Sequence, residues 1–535
     1  MGEKPCKKTG RILVLLYLFL FLSPSIHAAL RISVANEPPT LDWNLATDNV
    51  SYQILNNLME GLTQYDEALN PIPALAESWN ISPDKKTYTF NIRKDVRWSD
   101  GTPLLAKHFY DSWIRLLDPR TAAEYAYFLY DIQGAMDFNQ GLTSDPKKIA
   151  MRVLDSHKLQ VTLWHPAVYF PAITTFMVTF PIRLDLIEKF GNLWTEPPNM
   201  VTLGPFTLKS WRHEYKLILQ KNENFYGEEK PELSQLIIYI INEGTTALSL
   251  YETNGLDVVE LPPIAIPHYR NRSDFRTQAR LRGYYYGFNL LKKPFDDVRV
   301  RKAFSYAIDR KQFPIILKGG EIPTGSWVPP GMFGFNDQIG IRYDPQKAKV
   351  LLTKAGYPNG ENFPRIIAAF NTDPLNKIVA ENLQAQWKRE LGVDILLDNQ
   401  EWKVYLKNLQ HDTPKLFRLG WGADYPDPDN FLNLFTSTSG NNHTGWKNKR
   451  YDNLIQIAAA EANKQKRKSD YDEAQKLLTE IDVPIMPLFV VSTNYLAKPY
   501  LKNLRQNPLG FIYWKKVARK TSGPISKSDP SKTIQ

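Results

Sequence analysis

The segment DPLNKIVAENLQAQWKRELGVDILL, residues 373 to 397, carries a helix pattern and a strand pattern in direct succession. Asp373 followed by Pro374 is typical of a helix start, because the aspartate caps the first turn and proline needs no N–H partner there. Gly392 is typical of a helix end, and the apolar run VDILL that follows is typical of a strand. Helix and strand in succession predict an α/β layer.

The rest of the chain repeats this pattern. An Asp-Pro start at Asp344 predicts a helix that runs to Gly356, and a capping box of Ser469 with Asp472 predicts another. Alternation of apolar and polar side chains predicts strands in residues 85–93, 157–164 and 235–241. We therefore expect a mixed α/β fold throughout. The sequence contains no Pro-rich or Gly-rich hinge stretch, so we expect the chain to cross between any lobes at short segments.

The first 28 residues have the layout of a secretory signal peptide. Residues 1–11 are basic, residues 12–22 are unbroken apolar, and small residues follow up to Ala28. The apolar run is shorter than the roughly 18 residues that a membrane-spanning helix needs. The only cysteine, Cys6, precedes the apolar run and cannot carry a lipid at the cleavage site. We expect cleavage near Ala28 and an exported protein without a lipid anchor.

The formal net charge of +10 is concentrated at the two ends of the chain. Residues 1–11 carry +3 and residues 515–535 carry +5, which leaves +2 for the 503 residues between them. A nucleic-acid-binding protein keeps its basic patch on the folded domain, so this distribution argues against nucleic acid as a partner. Residues 521–535 are polar and rich in serine and lysine, which is typical of a disordered basic tail.

Signatures of enzymes and metal sites are missing from the sequence. It contains no G-x-S-x-G nucleophile elbow, no H-E-x-x-H motif and no phosphate-binding G-x4-G-K-[ST] loop. The eight histidines occur singly, without the paired spacing that local zinc or iron ligands have. We therefore expect a protein that is not an enzyme and that holds no metal or other cofactor.

An acidic stretch, WGADYPDPDN at residues 421–430, sets three carboxylates among prolines and aromatic residues. Calcium would usually require a flexible glycine-containing loop, and glycoside hydrolysis would require a second carboxylate across a cleft. For Asp427 and Asp429 we expect a turn and a helix cap. Asp424 has two interpretations: a structural ion pair with Arg418, or a free charge that binds one end of a zwitterion while Arg418 binds the other.

Five segments, in order along the sequence, resemble the extracytoplasmic solute-binding proteins of peptide ABC transporters, the periplasmic oligopeptide-binding protein family. They are NPIPALAESWNISPDKKTYTFNIRKDVRWSDGTPL (70–104), GPFTLKSW (204–211), FNLLKKPFDDVRVRKAFSYAIDR (288–310), NQEW (399–402) and WGADYPDPDNFLNLF (421–435). The resemblance implies a three-lobed Venus flytrap whose lobes close over a ligand by hinge motion. By position, lobe I comprises residues 29–60, 183–282 and 492–520, lobe II residues 61–182, and lobe III residues 283–491.

The resemblance implies a periplasmic component of an ABC importer. It would capture short peptides in extended form and, as a monomer, deliver them to permease subunits in the inner membrane. Within the family the ligand could instead be a dipeptide, a murein peptide, nickel or haem. A secreted glycoside hydrolase that uses Asp424 and a distant second carboxylate, or an exported adhesin or chaperone, are the alternatives from other classes.

The resemblance also implies the roles of individual site residues. Asp424 matches the aspartate that binds the α-ammonium group of the peptide, and Arg418 matches an arginine that holds the carboxylate of a short peptide. Between them, Gly420, Trp421 and Gly422 line the cleft, and the backbone of the two glycines is the candidate for hydrogen bonds to an extended peptide.

Three further residues are assigned in the same way. Trp402 matches a tryptophan of the side-chain pockets, and Tyr125 stands where a cleft tyrosine is expected. Asn376 occupies the position of a family histidine that binds the carboxylate of longer peptides. The sequence LLAKHF departs from the family at a helix start, so we expect that helix to lack its usual N-cap at Leu105.

Overall fold

The computed structural model describes Gly2, residues 29–227 and residues 230–520. Apart from Gly2, the predicted signal peptide (residues 1–28) lies outside the described residues, as does the predicted disordered tail (residues 521–535). Within the described part, no helix combines the length and the apolar composition that a membrane span requires.

Residues 373–397 form the helix and the strand that their pattern predicts. Asp373 accepts hydrogen bonds from two N–H groups in the first turn of the helix Pro374–Leu391. Gly392 ends the helix with φ +72°, in the left-handed region that favours glycine. The strand Ile395–Gln400 follows and pairs in parallel with its neighbour in the sheet, so the α/β prediction is confirmed here.

Two of the other helix predictions have different outcomes. The helix Pro345–Lys354 begins after Asp344, which caps it, as predicted. The capping box at Ser469 is wrong, because the helix Lys464–Lys476 begins earlier and Ser469 lies inside it. The side chain of Asn463 caps that helix by accepting hydrogen bonds from two N–H groups of its first turn, which is the role predicted for Ser469.

The helix Ala106–Leu117 lacks a side-chain cap at Leu105, as expected. The ring of His108, in the first turn, makes the reciprocal bond of a capping box, because its Nδ1 accepts the N–H of Leu105 at 3.1 Å. The α-helices of the described residues are Asn49–Leu58, Ala106–Leu117, Ala135–Asn139, Phe170–Ile173, Leu184–Phe190, Gly244–Glu252, Ile266–Tyr269, Val298–Tyr306, Phe313–Leu317, Pro345–Lys354, Pro374–Leu391, Trp402–His411, Asp429–Leu432, Lys449–Ala460 and Lys464–Lys476.

The strands form three main sheets, and the three predicted strands are confirmed as Thr87–Ile92, Lys158–Thr162 and Gln235–Ile240. In spatial order, the first sheet is Leu30–Val34, Gln235–Ile240, Lys216–Lys221 and Phe206–Arg212, and the second is Ala76–Ile81, Thr87–Ile92, Lys158–Thr162 and Met151–Asp155. The third is Val258–Glu260, Ile485–Ala497, Phe275–Phe288, Leu416–Gly422, Ile366–Asn371 and Ile395–Gln400, with Ile322–Pro323 on Ile485–Ala497. Two pairs complete the set: Thr63–Tyr65 with Pro71–Pro73, and Leu501–Lys502 with Ala518–Arg519.

Two long antiparallel strands of the third sheet, Phe275–Phe288 and Ile485–Ala497, run from predicted lobe I into predicted lobe III. We call them the crossing strands. Their register shifts between the pair Ala279–Ser492 and the pair Gly283–Val490, so residues 280–282 have no partner in this ladder. A break of this kind bends and twists a strand locally. It coincides with the predicted lobe boundary, and the lobe boundaries remain a prediction.

The core is apolar and rich in aromatic side chains. One buried cluster joins the first two sheets to one side of the third, and a second cluster packs the helices Val298–Tyr306 and Pro374–Leu391 against the third sheet. Fully buried tryptophans anchor these clusters at positions 43, 98, 113, 194, 327, 387 and 514. Because the described residues contain no cysteine, burial of this apolar surface supplies the stability that disulfides give to smaller exported proteins.

Candidate ligand-binding cleft

The strand Leu416–Gly422, here called the cleft strand, has one edge that is only partly paired. Along one edge it pairs with the crossing strand Phe275–Phe288 over its whole length. Along the other it pairs with Ile366–Asn371 only at its first two residues. Among the described residues, the edge from Arg418 to Gly422 therefore has no neighbouring strand. Such an edge offers backbone N–H and C=O groups to an added strand.

The ladder determines which residues direct these groups outward. The N–H of Ala423 donates to the C=O of Leu281 at 2.8 Å, on the paired edge. Since antiparallel partners alternate, the backbone groups of Gly420 and Gly422 point to the free edge. The C=O of Arg418 points the same way and already accepts a hydrogen bond from the hydroxyl of Tyr405 at 2.6 Å.

Opposite charges flank the two glycines of the cleft strand. Side chains alternate along a strand, so Arg418, Gly420 and Gly422 share a face, and Asp424 follows two residues after the strand ends. The two glycines leave the face bare between the charges. Gly420 is required there, because a Cβ atom would lie 2.8 Å from the C=O oxygen of Gly283.

Asp424 carries a negative charge that the protein does not compensate. Its N–H donates to Oδ1 of Asn430 at 3.2 Å, and its Oδ2 lies 3.5 Å from Nδ2 of Asn430. The same Oδ1 also accepts the indole N–H of Trp421 at 2.9 Å. Among the described residues, no lysine, arginine or histidine forms a salt bridge with Asp424. Burial raises the pKa of Asp424 to about 6, against the opposing effect of Asn430.

Arg418 belongs to a separate hydrogen-bonded cluster. Its Nη1 donates to Oδ1 of Asn371 at 3.1 Å, and its guanidinium lies 4.3 Å from the centre of the Tyr284 ring. Asn376 completes this cluster: its Nδ2 donates to Asn371, and its Oδ1 accepts a hydrogen bond from the hydroxyl of Tyr284 at 2.9 Å. Arg418 does not pair with Asp424, so the ion-pair interpretation is wrong.

The other two carboxylates of the acidic stretch are structural. Asp427 accepts the N–H of Asp429 at 3.0 Å, which confirms the turn, and Arg467 binds both of its carboxylate oxygens at 2.8 Å. The cap prediction for Asp429 is wrong, because Asp429 is itself the first residue of the short helix and accepts the hydroxyl of Tyr425 at 3.0 Å. Burial, with Asp427 nearby, raises the pKa of Asp429 to about 7.

The cleft next to Asp424 is walled by segments from all three predicted lobes. Its empty volume, open mouth included, is about 1030 Å³. Tyr125 and Tyr127 stack with ring centres 5.5 Å apart, and burial together with the charge of Asp424 raises the pKa of both hydroxyls. The lining residues are Thr47, Asp48, Asn49, Tyr52, Tyr125, Tyr127, Phe176, Met177, Arg280, Leu281, Arg282, Gly420, Trp421, Gly422, Ala423, Asp424, Pro508, Leu509 and Phe511.

The structure brings together five of the eight predicted site residues in this cleft: Tyr125, Gly420, Trp421, Gly422 and Asp424. It does not bring the other three to the cleft wall. Arg418 lies on Tyr284, and Asn376 is only 2% exposed because its amide is used inside the fold. Trp402 is 45% exposed at the start of the helix Trp402–His411.

Sequence reasoning missed most of the other lining residues, and two residues of the cleft region that it missed bear directly on the charges there. Asn430 stands within the quoted acidic stretch, where its spacing of six residues from Asp424 carries no recognisable signal. Arg282 lines the cleft opposite Gly422 on the neighbouring strand. Only the cross-strand register reveals that position. Over the described ranges, no group of three or more His, Cys, Asp or Glu side chains is placed to hold a metal ion.

The fold and the cleft define a ligand-binding protein with α/β lobes around a central site. Residues 70–443 match the family described as bacterial extracellular solute-binding proteins, family 5 (middle part). The protein belongs to that family, so the fold predicted from the resemblance is confirmed. The oligopeptide-binding protein OppA of Bacillus subtilis (strain 168) is 32% identical over 502 residues, which covers 91% of this sequence and 92% of the relative.

Two solved structures locate the protein within the family. The unliganded open form of the periplasmic murein tripeptide-binding protein MppA is 30% identical, with a TM-score of 0.82 over 92% of this protein and 97% of MppA. OppA of Listeria monocytogenes bound to peptide is also 30% identical, with a TM-score of 0.71 over 92% of this protein and 99% of that OppA. The arrangement described here is thus more similar to this open form than to this peptide-bound structure.

Proposed function

We propose that this protein binds short peptides outside the cytoplasm and delivers them, as a monomer, to the permease subunits of an ABC importer. The proposal rests on one observation: the uncompensated carboxylate of Asp424 lies beside the free edge of the cleft strand. The names of the relatives, which include peptide-binding proteins, support the same ligand class.

In this mechanism the peptide adds to the free edge as an extended strand. The backbone of Gly420 and Gly422 supplies N–H and C=O groups, which bind any peptide because every peptide carries the same backbone groups. The α-ammonium group lies against Asp424. An enclosed carboxylate is costly without a partner, and the ammonium supplies the missing positive charge, so free peptides are preferred over internal segments of proteins.

At the other end, Arg418 is the candidate for the carboxylate of the peptide. In the present arrangement its guanidinium rests on Tyr284 and has no carboxylate partner among the described residues. We infer that the present structure is an open state, since its similarity to an unliganded open relative exceeds that to a peptide-bound one. Closure at the break in the crossing strands would narrow the cleft around the ligand.

Export is part of the proposal. Relatives named as periplasmic support a location outside the cytoplasm, and cleavage near Ala28 without a lipid anchor is the form of export that the sequence favours. The relative named for a murein tripeptide makes murein peptides a specific ligand variant of the same function, alongside dipeptides.

The test is isothermal titration of the exported protein, refolded once to remove any ligand carried from the host. Trialanine, N-acetyl-trialanine and trialanine amide are titrated into the wild type, Asp424→Asn and a control, Asp412→Asn, whose carboxylate is 83% exposed. We expect trialanine to bind with micromolar or tighter affinity, and acetylation or Asp424→Asn to weaken binding by a factor of about thirty or more. Asp412→Asn should bind like the wild type.

Two results would reject the proposal. If the refolded wild type binds none of these peptides and no murein tripeptide, Asp424 is not an ammonium receptor. If the protein instead hydrolyses chromogenic glycosides and Asp424→Asn stops the reaction, the carboxylate belongs to a hydrolase.

A further inference from the structure

Arg282 is the cleft residue whose charge has no evident structural use. It lines the cleft and is exposed to its solvent. Among the described residues its guanidinium makes no hydrogen bond, salt bridge or cation–π contact. The neighbouring Arg280 differs, because it donates to the C=O of Leu509 at 2.7 Å and to Oγ1 of Thr493 at 3.1 Å, which anchors it to the cleft wall.

The register places Arg282 beside the bare face of the cleft strand. Its cross-strand partner is Gly422. A Cβ atom added to Gly422 would meet Cγ of Arg282 at 3.9 Å and Cδ at 4.0 Å, so the stem of Arg282 lies along the space that a side chain would fill. Neighbouring strands are about 4.8 Å apart, so a ligand strand at the free edge would lie two spacings from the strand of Arg282. An arginine side chain extended across Gly422 covers the larger part of that gap, and a side chain or terminus of the ligand covers the rest.

The charges around Arg282 favour an anion at that point. Enclosure by the cleft walls and the nearby positive charge of Arg418 lower the pKa of Arg282 by more than the carboxylate of Asp373 raises it. Asp424 lies two residues beyond Gly422, just after the cleft strand ends. With its ammonium nitrogen level with Asp424, an extended ligand places its first residue opposite Ala423 and its second opposite Gly422, next to the guanidinium of Arg282.

We propose that Arg282 determines specificity by binding a carboxylate of the peptide at the second residue from its α-ammonium group. This inference rests on the proposed peptide-binding function and adds a preference to it. The carboxylate has two possible sources: an aspartate or glutamate side chain at the second position of a longer peptide, or the C-terminal carboxylate of a dipeptide. Both match the planar donor array of a guanidinium, which binds carboxylates through two parallel hydrogen bonds.

The test compares matched ligands that differ only in this charge. Ala-Asp-Ala is titrated against Ala-Asn-Ala, and Ala-Ala against Ala-Ala amide, with trialanine as the reference ligand. The proteins are the wild type, Arg282→Gln and the control Arg276→Gln, which removes an arginine that lies on the same crossing strand outside the cleft and bonds only to nearby backbone C=O groups. Cooperative unfolding of Arg282→Gln in urea, measured without ligand, shows that the variant folds.

We expect the wild type and Arg276→Gln to prefer at least one charged ligand over its neutral partner by roughly tenfold to a hundredfold. Arg282→Gln should lose that preference. Loss confined to Ala-Asp-Ala identifies the side-chain carboxylate as the ligand group, and loss confined to Ala-Ala identifies the terminal one.

Other results overturn the inference. If trialanine binds but neither pair is discriminated, or if discrimination survives in Arg282→Gln, the role of Arg282 is refuted while the peptide-binding function stands. If trialanine and every other peptide fail to bind the wild type, the proposed function itself fails.

Discussion

Asp424 and Asp427 lie three residues apart in one segment, yet the fold treats their charges in opposite ways. Asp427 is 8% exposed and is bound through both oxygens by Arg467, which is 7% exposed. Asp424 faces a cleft, and its side chain has only an amide contact with Asn430. Both carboxylates lose water, but only Asp427 receives a positive charge from the protein in return.

The difference separates a structural carboxylate from a binding one. A buried charge without a partner lowers stability, so a fold retains one only where something outside the protein compensates it. At Asp427 the positive partner is Arg467 of the protein itself, so a bound ligand should not be needed to compensate the charge. At Asp424 we infer that the partner is the ammonium group of a peptide. Five experiments test this contrast.

The largest effect is expected at the structural carboxylate. Arg467→Met leaves Asp427 buried without its partner, and we expect the free energy of unfolding in urea to fall by about 3–5 kcal/mol. The double variant Arg467→Met with Asp427→Leu should recover a large part of the loss, since removing both charges leaves none unpaired. A loss below about 1 kcal/mol in the single variant would contradict the structural role of the pair.

At Asp424 the loss should appear in binding and not in stability. Asp424→Asn removes the partner of the peptide ammonium, so we expect the affinity for trialanine to fall by about 2–5 kcal/mol in titration calorimetry. The ligand-free variant should unfold at a urea concentration no lower than the wild type does, because an uncompensated charge has been removed. A clear loss of stability in Asp424→Asn would make Asp424 a second structural carboxylate.

The two glycines before Asp424 offer a smaller and more local test. A Cβ at position 420 would lie 2.8 Å from the C=O oxygen of Gly283, and a backbone atom does not move aside as the end of a flexible side chain does. We expect Gly420→Ala to lower the free energy of unfolding by about 1–3 kcal/mol. Gly422→Ala is the matched control: its nearest neighbour would be at 3.9 Å, so stability should stay within about 0.5 kcal/mol of the wild type.

The pH dependence of binding should be the most gradual effect. The pKa of Asp424 is raised by burial to about 6 in the ligand-free protein, and a bound ammonium group lowers it. Affinity for trialanine should therefore have its highest value above about pH 6, where the carboxylate is ionised. Below that pH the carboxylate takes up a proton, and the affinity should fall by up to about tenfold per pH unit. Titration calorimetry between about pH 4.5 and 8 measures this slope, and Asp424→Asn should not show it.

Stability of the ligand-free protein should change with pH in the opposite sense. The folded-state pKa of Asp424 lies above its unfolded value of 3.8, so the folded state holds the proton more tightly. The contribution to stability is present at low pH and is lost as pH rises through about 6. Urea unfolding of the wild type and of Asp424→Asn should diverge over that range. Parallel curves would mean that Asp424 is already compensated inside the protein.

The sequence predicts a structural feature of this protein correctly where the signal for that feature lies in neighbouring residues. Asp373 and Gly392 were assigned correctly because a cap and a left-handed end are determined within one turn of helix. Ser469 was assigned wrongly for a related reason. Asn463 and Ser469 both satisfy the local rule for a cap. That rule takes no account of the burial of Tyr471 and Ala474 against the rest of the fold, so it does not distinguish the two candidates.

Within the site, the same limit separates Asp424 from Arg282. The sequence alone determined the α/β class, the acidic stretch after the cleft strand and, through resemblance, the likeness of Asp424 to an ammonium-binding aspartate. Only the tertiary structure decided that Asp427 is neutralised by Arg467, forty residues away, and that Arg282 lies opposite Gly422 across a strand pair. Local patterns specify conformation because their energies come from neighbours in the sequence. Charges are compensated by whatever the fold brings within a few ångströms, which sequence distance does not reveal.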